Sequence, residues 1–155
     1  MFVKDVMKSD VAACNPQDDL ATAGKIMRDR HCGFVPVVDS HGVVAGVSTD
    51  RDICLYAAAK PRTLSHLSAK DAMSHPVFSC FSDENLKVTI ATMAKHHVRR
   101  LPVLDKEGHL RGVLSMDDVV QAPHLRGAPT AEEIVAALNE ICATKPAEIV
   151  SATSR

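Results

Sequence analysis

Apolar positions recur along this chain in two alternating rhythms. Leu20, Ala23, Gly24, Met27 and His31 fall at helical spacing behind the acidic pair Asp18-Asp19, and Leu86, Ile90, Met93 and His97 repeat the pattern behind Asp83-Glu84. Each set predicts an amphipathic helix with acids at its positive dipole end. Phe34-Val-Pro-Val-Val-Asp39 then leads through a turn ending at Gly42 into Val43-Val-Ala-Gly-Val-Ser48. Leu101-Pro-Val-Leu-Asp105, Gly108 and Leu110-Arg-Gly-Val-Leu114 match it. Asp at the first turn position with Gly at the fourth suits a type I turn, so both stretches predict hairpins. A second helix is expected from Thr49 to about Ala59, and again from Ser115 to about Gln121. The short runs Val11-Ala12-Ala13 and Val77-Phe78-Ser79 suit a first strand. The predicted order is strand, helix, strand, strand, helix, twice over: an α/β (α+β) chain.

The two halves are one sequence repeated at a constant offset of 66, without insertion or deletion. Across residues 4–55 and 70–121, 15 of 52 positions are identical, among them Asp5/Asp71, Met7/Met73, Pro36/Pro102, Gly46/Gly112 and Asp52/Asp118. Unrelated segments of ordinary composition would agree at roughly 3 or 4. Tandem copies imply a two-fold-like assembly whose seam is a natural cleft. The expected divisions are a first domain at 1–59, a connector at 60–69 around Pro61, a second domain at 70–122, a C-terminal extension at 123–150 and a frayed tail at 151–155. In the extension, Thr130 and Glu133 suit a capping box, and Ile134, Leu138 and Ile141 form an apolar stripe.

Composition narrows the function. With 155 residues, each half of about 60 is too small to stand easily alone, so the halves should pack together. The formal net charge of −1 and the lack of any basic block longer than Arg99-Arg100 argue against nucleic acid. No apolar run approaches the roughly 18 residues of a membrane span. Five dispersed cysteines without Cys-x-x-Cys suit free thiols in the cytoplasm. The eight histidines form no recognisable ligand set, so no metal site is expected.

The sharpest local motif is Gly46-Val-Ser-Thr49-Asp-Arg-Asp52, repeated as Gly112-Val-Leu-Ser115-Met-Asp-Asp118, where a strand turns into a helix. Thr49-x-x-Asp52 and Ser115-x-x-Asp118 read as helix caps, hydroxyl at N-cap and acid at N3. They also read as a ligand site, because a helix N-terminus attracts phosphate and a carboxylate can accept hydrogen bonds from a ribose diol. Both readings stand on sequence alone.

With Asp5-Val6-Met7 and Asp71-Ala72-Met73, the apolar-Pro-Val-apolar-Asp strands, the Gly-containing turns and the Gly-h-h-Ser/Thr-x-x-Asp motifs, the chain resembles the cystathionine-β-synthase (CBS) domain family over residues 1–122. Such domains occur as tandem pairs, Bateman modules, packed with pseudo-two-fold symmetry around two clefts for adenosine-containing ligands. The resemblance implies that Thr49, Asp52, Ser115 and Asp118 meet phosphate or ribose, and that backbone near Ala12 and Phe78 meets adenine. It implies an adenine nucleotide ligand (AMP, ADP or ATP), no required cofactor, and regulation of an unknown protein target.

The copies differ before their prolines: His97-Val-Arg99-Arg100-Leu101 against His31-Cys-Gly33-Phe34-Val35. Arg suits bidentate phosphate contact, whereas a solvated Arg pair at a helix end is the plainer reading, and of two adjacent strand residues one should face the cleft. Phe34 is expected in the core rather than against a base, and Met7, Met27, Met73 and Met93 as core filler. No nucleophile or acid–base pair has suggestive spacing, which favours a sensor over an enzyme, with a structural adaptor as the other alternative. The outer helix faces and the C-terminal stripe lead us to expect a homodimer.

Overall fold

The computed structural model describes residues 1–122 and 125–143. The 151–155 tail, and residues 123–124 and 144–150 of the extension, lie outside the described residues. Helix α1 spans Leu20–Asp29, strands β1 (Phe34–Val38) and β2 (Val44–Thr49) form an antiparallel hairpin, and α2 covers Asp50–Ala58. The second copy follows as α3 (Ala69–Ala72), β3 (Cys80–Phe81), α4 (Leu86–His96), the hairpin β4 (Arg100–Leu104) and β5 (Leu110–Ser115), and α5 (Met116–Val120); α6 (Ala131–Cys142) ends it. The mixed helix–strand class is as the periodicity implies. Both hairpins close as expected: Gly42 and Gly108 donate to Asp39 and Asp105 carbonyls at 3.1 Å, with φ of 83° and 87°, where a side chain would be strained.

Two local expectations change. Residues 11–13 and 77–79 join no strand, because the chain reaches the sheet edge three residues later. Cys14 donates to the Pro36 carbonyl and accepts from Val38, a single parallel bridge, and β3 begins at the matching Cys80. Burial pushes the Cys14 and Cys80 thiols up to about 11 and about 12. Asp19 caps α1 through the Thr22 amide, but Asn85 rather than Asp83-Glu84 caps α4. Glu84 instead accepts from the fully buried Thr89 hydroxyl at 2.9 Å, a shorter bond than the 3.3 Å that hydroxyl has to the Asn85 carbonyl.

The copies exchange their leading segments. Val3 is buried with Leu86, Ile90, Met93 and Leu101 of the second copy, while Leu67, Ala69 and Ala72 are buried with Leu20, Ala23 and Val35 of the first. The 60–69 stretch therefore includes more than a tether: Leu64–His66 make a 3-10 turn and Leu67 enters a core. Lys8 and Val113 exchange backbone hydrogen bonds at 3.0 and 2.9 Å, and Ser74 and Val47 do the same at 2.7 and 3.3 Å. At the tips, Val44 donates to Gly108 and Leu110 to Gly42. Every one of these bonds has its counterpart 66 residues away, so the repeat in sequence becomes a pseudo-two-fold axis in space.

Helix α6 breaks the symmetry. Ile134 and Ile141 are buried in the second copy's core and Leu138 is half-buried against it, so this stripe is covered within the chain and is not the dimer surface expected from sequence. The reason lies in α4, which turns Ile90 and Ala94 toward that core where α1 has Gly24 and Arg28. Gly24 sits inside α1 with open space where a Cβ would stand, nothing lying within 4 Å. Gly24→Ala should therefore stabilise the fold by about 0.4–1 kcal/mol, seen as a rise of a few degrees, roughly 2–4 °C per kcal/mol, in thermal unfolding. Among the described residues no helix is long and apolar enough to cross a membrane.

Candidate functional site

The hydroxyl–acid motifs sit where β2 enters α2 and where β5 enters α5. Asp52 Oδ2 accepts from the Thr49 amide (2.9 Å) and hydroxyl (2.7 Å), while Thr49 Oγ1 accepts from the Asp52 amide at 3.1 Å. Ser115 and Asp118 make the same reciprocal set. The capping reading is thus fulfilled at both helices. Capping does not close the site, because Asp52 Oδ1 has no hydrogen-bond partner among the described residues. Asp118 differs: its Oδ1 lies 3.3 Å from Lys8 Nζ, on the segment exchanged from the first copy.

Each motif opens into a cleft between the copies. The Thr49 cleft, about 480 Å³, is lined by Thr49, Asp52, Phe78, Arg99 and Arg100. The Ser115 cleft, about 230 Å³, is lined by Ser115, Asp118, Ala12, Arg100 and Lys8. All eight sequence-predicted site residues therefore line one cleft or the other. The Arg pair does not divide between faces as strand alternation suggests: Arg99 lines the Thr49 cleft, and Arg100 lies where both clefts meet. Phe34, 8% exposed, belongs to the core and still lines both clefts, since it is the pseudo-symmetric counterpart of Arg100. The Phe78 ring stacks on the His96 imidazole with centroids 3.8 Å apart. Its counterpart Ala12 leaves the other cleft without an aromatic there.

The clefts differ most in charge. In the Ser115 cleft each cation meets an acid: Lys8 with Asp118, Arg30 with Asp10 at 2.9 Å, and Arg100 with Asp117 at 3.8 Å. In the Thr49 cleft, Arg51 and Arg99 have no ion-pair partner among the described residues, and Asp50 accepts from the Arg51 amide. Sequence reasoning passed over Arg51, Lys8 and Arg30. The available signal was a change of charge at repeating positions, Arg51 against Asp117 and Lys8 against Ser74. It also passed over His31 and His97, which follow α1 and α4 with left-handed φ of 50° and 54° and line the Ser115 and Thr49 clefts respectively. Such a backbone conformation is uncommon outside glycine, although His tolerates it better than most.

A family model described as the CBS domain matches residues 3–59 and 69–125. A CBS domain-containing protein of Bacillus subtilis, YhcV, is 33% identical over 117 residues, 76% of this chain and 81% of its own. Two solved structures share the fold. The CBS domain pair of MJ0100, in complex with 5′-methylthioadenosine and S-adenosylmethionine, has a TM-score of 0.70 at 23% identity, covering 78% of this chain and 94% of that one. CBSX2, in complex with AMP, has a TM-score of 0.67 at 23% identity, covering 78% and 94%. The duplicated motif, the exchanged segments and the matched family model agree, and the chain belongs to the CBS domain family as a tandem pair of its domains.

Proposed function

We propose that this chain is a regulatory module that binds an adenine nucleotide, AMP, ADP or ATP, between its repeats and signals to a separate protein by changing shape. The observation that carries the reading is the convergence of Thr49, Asp52, Phe78 and Arg99, from three separated segments, on one cleft. The N-terminus of α2 and the Arg99 guanidinium suit phosphate, the unpartnered Oδ1 of Asp52 suits a ribose hydroxyl, and the Phe78 ring suits a base. Adenosine-containing ligands in MJ0100 and CBSX2 lend support from the same fold. Because the cleft is walled by both copies, a ligand that prefers one spacing of them shifts the population toward it, which is what a partner would read. Asp52 and Asp118 each commit one oxygen to a helix cap, and in this reading the other takes a ribose hydroxyl rather than a proton, which makes the chain a sensor and not an enzyme.

The Arg lining favours anionic phosphates over the cationic sulfonium of S-adenosylmethionine. Calorimetric titration should give tighter binding for AMP or ATP than for S-adenosylmethionine, without turnover; the reverse order would overturn the ligand class. A second reading, a structural adaptor with vestigial clefts, is favoured by the completed caps and would follow from no adenosine ligand binding at all. Leu55 on α2 and Val88 on α4, 59% and 56% exposed, suit pairing of two modules as a homodimer. Sedimentation at micromolar concentration should show that dimer, and a monomer would end the claim. Five unpaired thiols suit the reducing cytoplasm.

A further inference from the structure

The two clefts are equivalent by topology and opposed in charge at one matched pair, Arg51 and Asp117. Each is the residue before its motif acid, each lies in the first turn of its helix, and each lines its own cleft. Asp117 lies 3.8 Å from the guanidinium of Arg100, the one cation that lines both clefts, and so draws it toward the Ser115 side without removing it from the Thr49 side. Arg51 has no ion-pair partner among the described residues, although Asp50 and Asp52 line the same cleft, and it adds its charge to that of Arg99. Counting lining Lys, Arg, Asp and Glu, the Ser115 cleft carries three cations and three acids and the Thr49 cleft three cations and two acids. Volume points the same way. The Thr49 cleft, at about 480 Å³, falls within the range of about 300–1,000 Å³ usual for small-molecule pockets, and the Ser115 cleft, at about 230 Å³, falls below it.

We infer that the two clefts are not interchangeable: the Thr49 cleft takes the phosphorylated ligand, one per chain, and the Arg51/Asp117 pair sets that choice. The inference rests on the nucleotide-binding reading above and deepens it. Arg51 acts as a specificity residue toward the phosphate group, so its influence should scale with ligand charge and vanish for the bare nucleoside. Asp117 acts in the opposite sense, holding Arg100 and repelling an anion from the smaller cleft.

The test is calorimetry with AMP and with adenosine on the full chain, its Arg51→Asp variant and its Asp117→Arg variant. Arg51→Asp places an acid in the first turn of α2, where the helix dipole favours it, so folding should hold. The wild type should bind one AMP per chain. Arg51→Asp should weaken AMP about tenfold or more while adenosine changes by less than about twofold. Asp117→Arg should raise the AMP stoichiometry from one to two. If that variant fails to fold, Asp117→Asn, which frees Arg100 without adding a cation at the helix start, should bring in a second, weaker AMP. Two equal AMP sites in the wild type, an unchanged AMP affinity in Arg51→Asp, or a stoichiometry of one in both Asp117 variants when folded would overturn the inference and leave the nucleotide reading standing. Binding of neither AMP nor adenosine to the folded wild type would overturn that reading as well.

Discussion

Gly112→Ala should destabilise the protein by about 3 kcal/mol, lowering the unfolding temperature by roughly 6–12 °C, whereas Gly46→Ala at the matching position should cost about 1–2 kcal/mol. The two glycines do the same job by different contacts. A Cβ on Gly112 would stand 2.5 Å from the Lys8 carbonyl oxygen and 3.3 Å from its carbon. Lys8 is backbone that cannot retreat, because its amide and carbonyl are both bonded to Val113. Relief would mean giving up that pair and lifting the exchanged segment, with Val3 and Met7, from the second core. The three atoms nearest a Cβ on Gly46 all belong to the Met73 side chain: Sδ, Cγ at 2.7 Å and, less movable, Cβ at 3.0 Å. An unbranched thioether can change rotamer at modest cost. Urea unfolding of both variants checks the order. Equal losses, or a Gly112→Ala loss under about 0.5 kcal/mol, would mean that the exchanged segment yields more easily than its hydrogen bonds imply.

That pair of glycines also marks the limit of what the sequence reveals about the fold. Helical and alternating periodicity located the long helices and both hairpins, because these elements bury one face along a contiguous stretch. The offset of 66 foretold a pseudo-two-fold. Segment exchange was not legible: with identical spacing in both copies, Met7 packs equally well beside its own Gly46 or its neighbour's Gly112, and a symmetric sequence is silent between the two. The first strand was misplaced because Val11-Ala12-Ala13 is apolar enough to suggest pairing, while pairing starts only where Cys14 comes level with Val37. The burial of α6 depended on Ile90 and Ala94 standing where the first copy has Gly24 and Arg28. That is a difference between copies, not a likeness.

The candidate site shows the same division. Likeness between copies pointed to Thr49, Asp52, Ser115 and Asp118, all of which line clefts. Differences between copies carry what distinguishes the clefts: Phe78 against Ala12, Lys8 against Ser74, Arg51 against Asp117.

Asp52→Ala separates cap from ligand contact. The carboxylate has two oxygens: Oδ2 serves Thr49, and Oδ1, without a hydrogen-bond partner among the described residues, is the one we propose for a ribose hydroxyl. Losing the cap should cost the fold about 1 kcal/mol, a few degrees in thermal unfolding, since Thr49 Oγ1 still accepts from the residue 52 amide. Losing a charge-assisted bond to ribose should cost binding about 1.5–3 kcal/mol, roughly ten- to hundredfold in the affinity for AMP or ATP. The two effects are measured independently, by unfolding and by calorimetric titration at a temperature where the variant is folded. Asp118→Ala should lose its cap in the same way, but its Oδ1 already faces Lys8, so a ribose there must displace an ion pair. Lys8 is exposed and the Asp118 side chain is buried, so displacing the lysine returns it to water but leaves the acid dependent on the ribose for its new partner, which makes the Ser115 cleft the weaker ribose site without closing it. An unchanged nucleotide affinity in folded Asp52→Ala would show that the acid serves its helix alone, and the sensor reading would then lose its ribose contact.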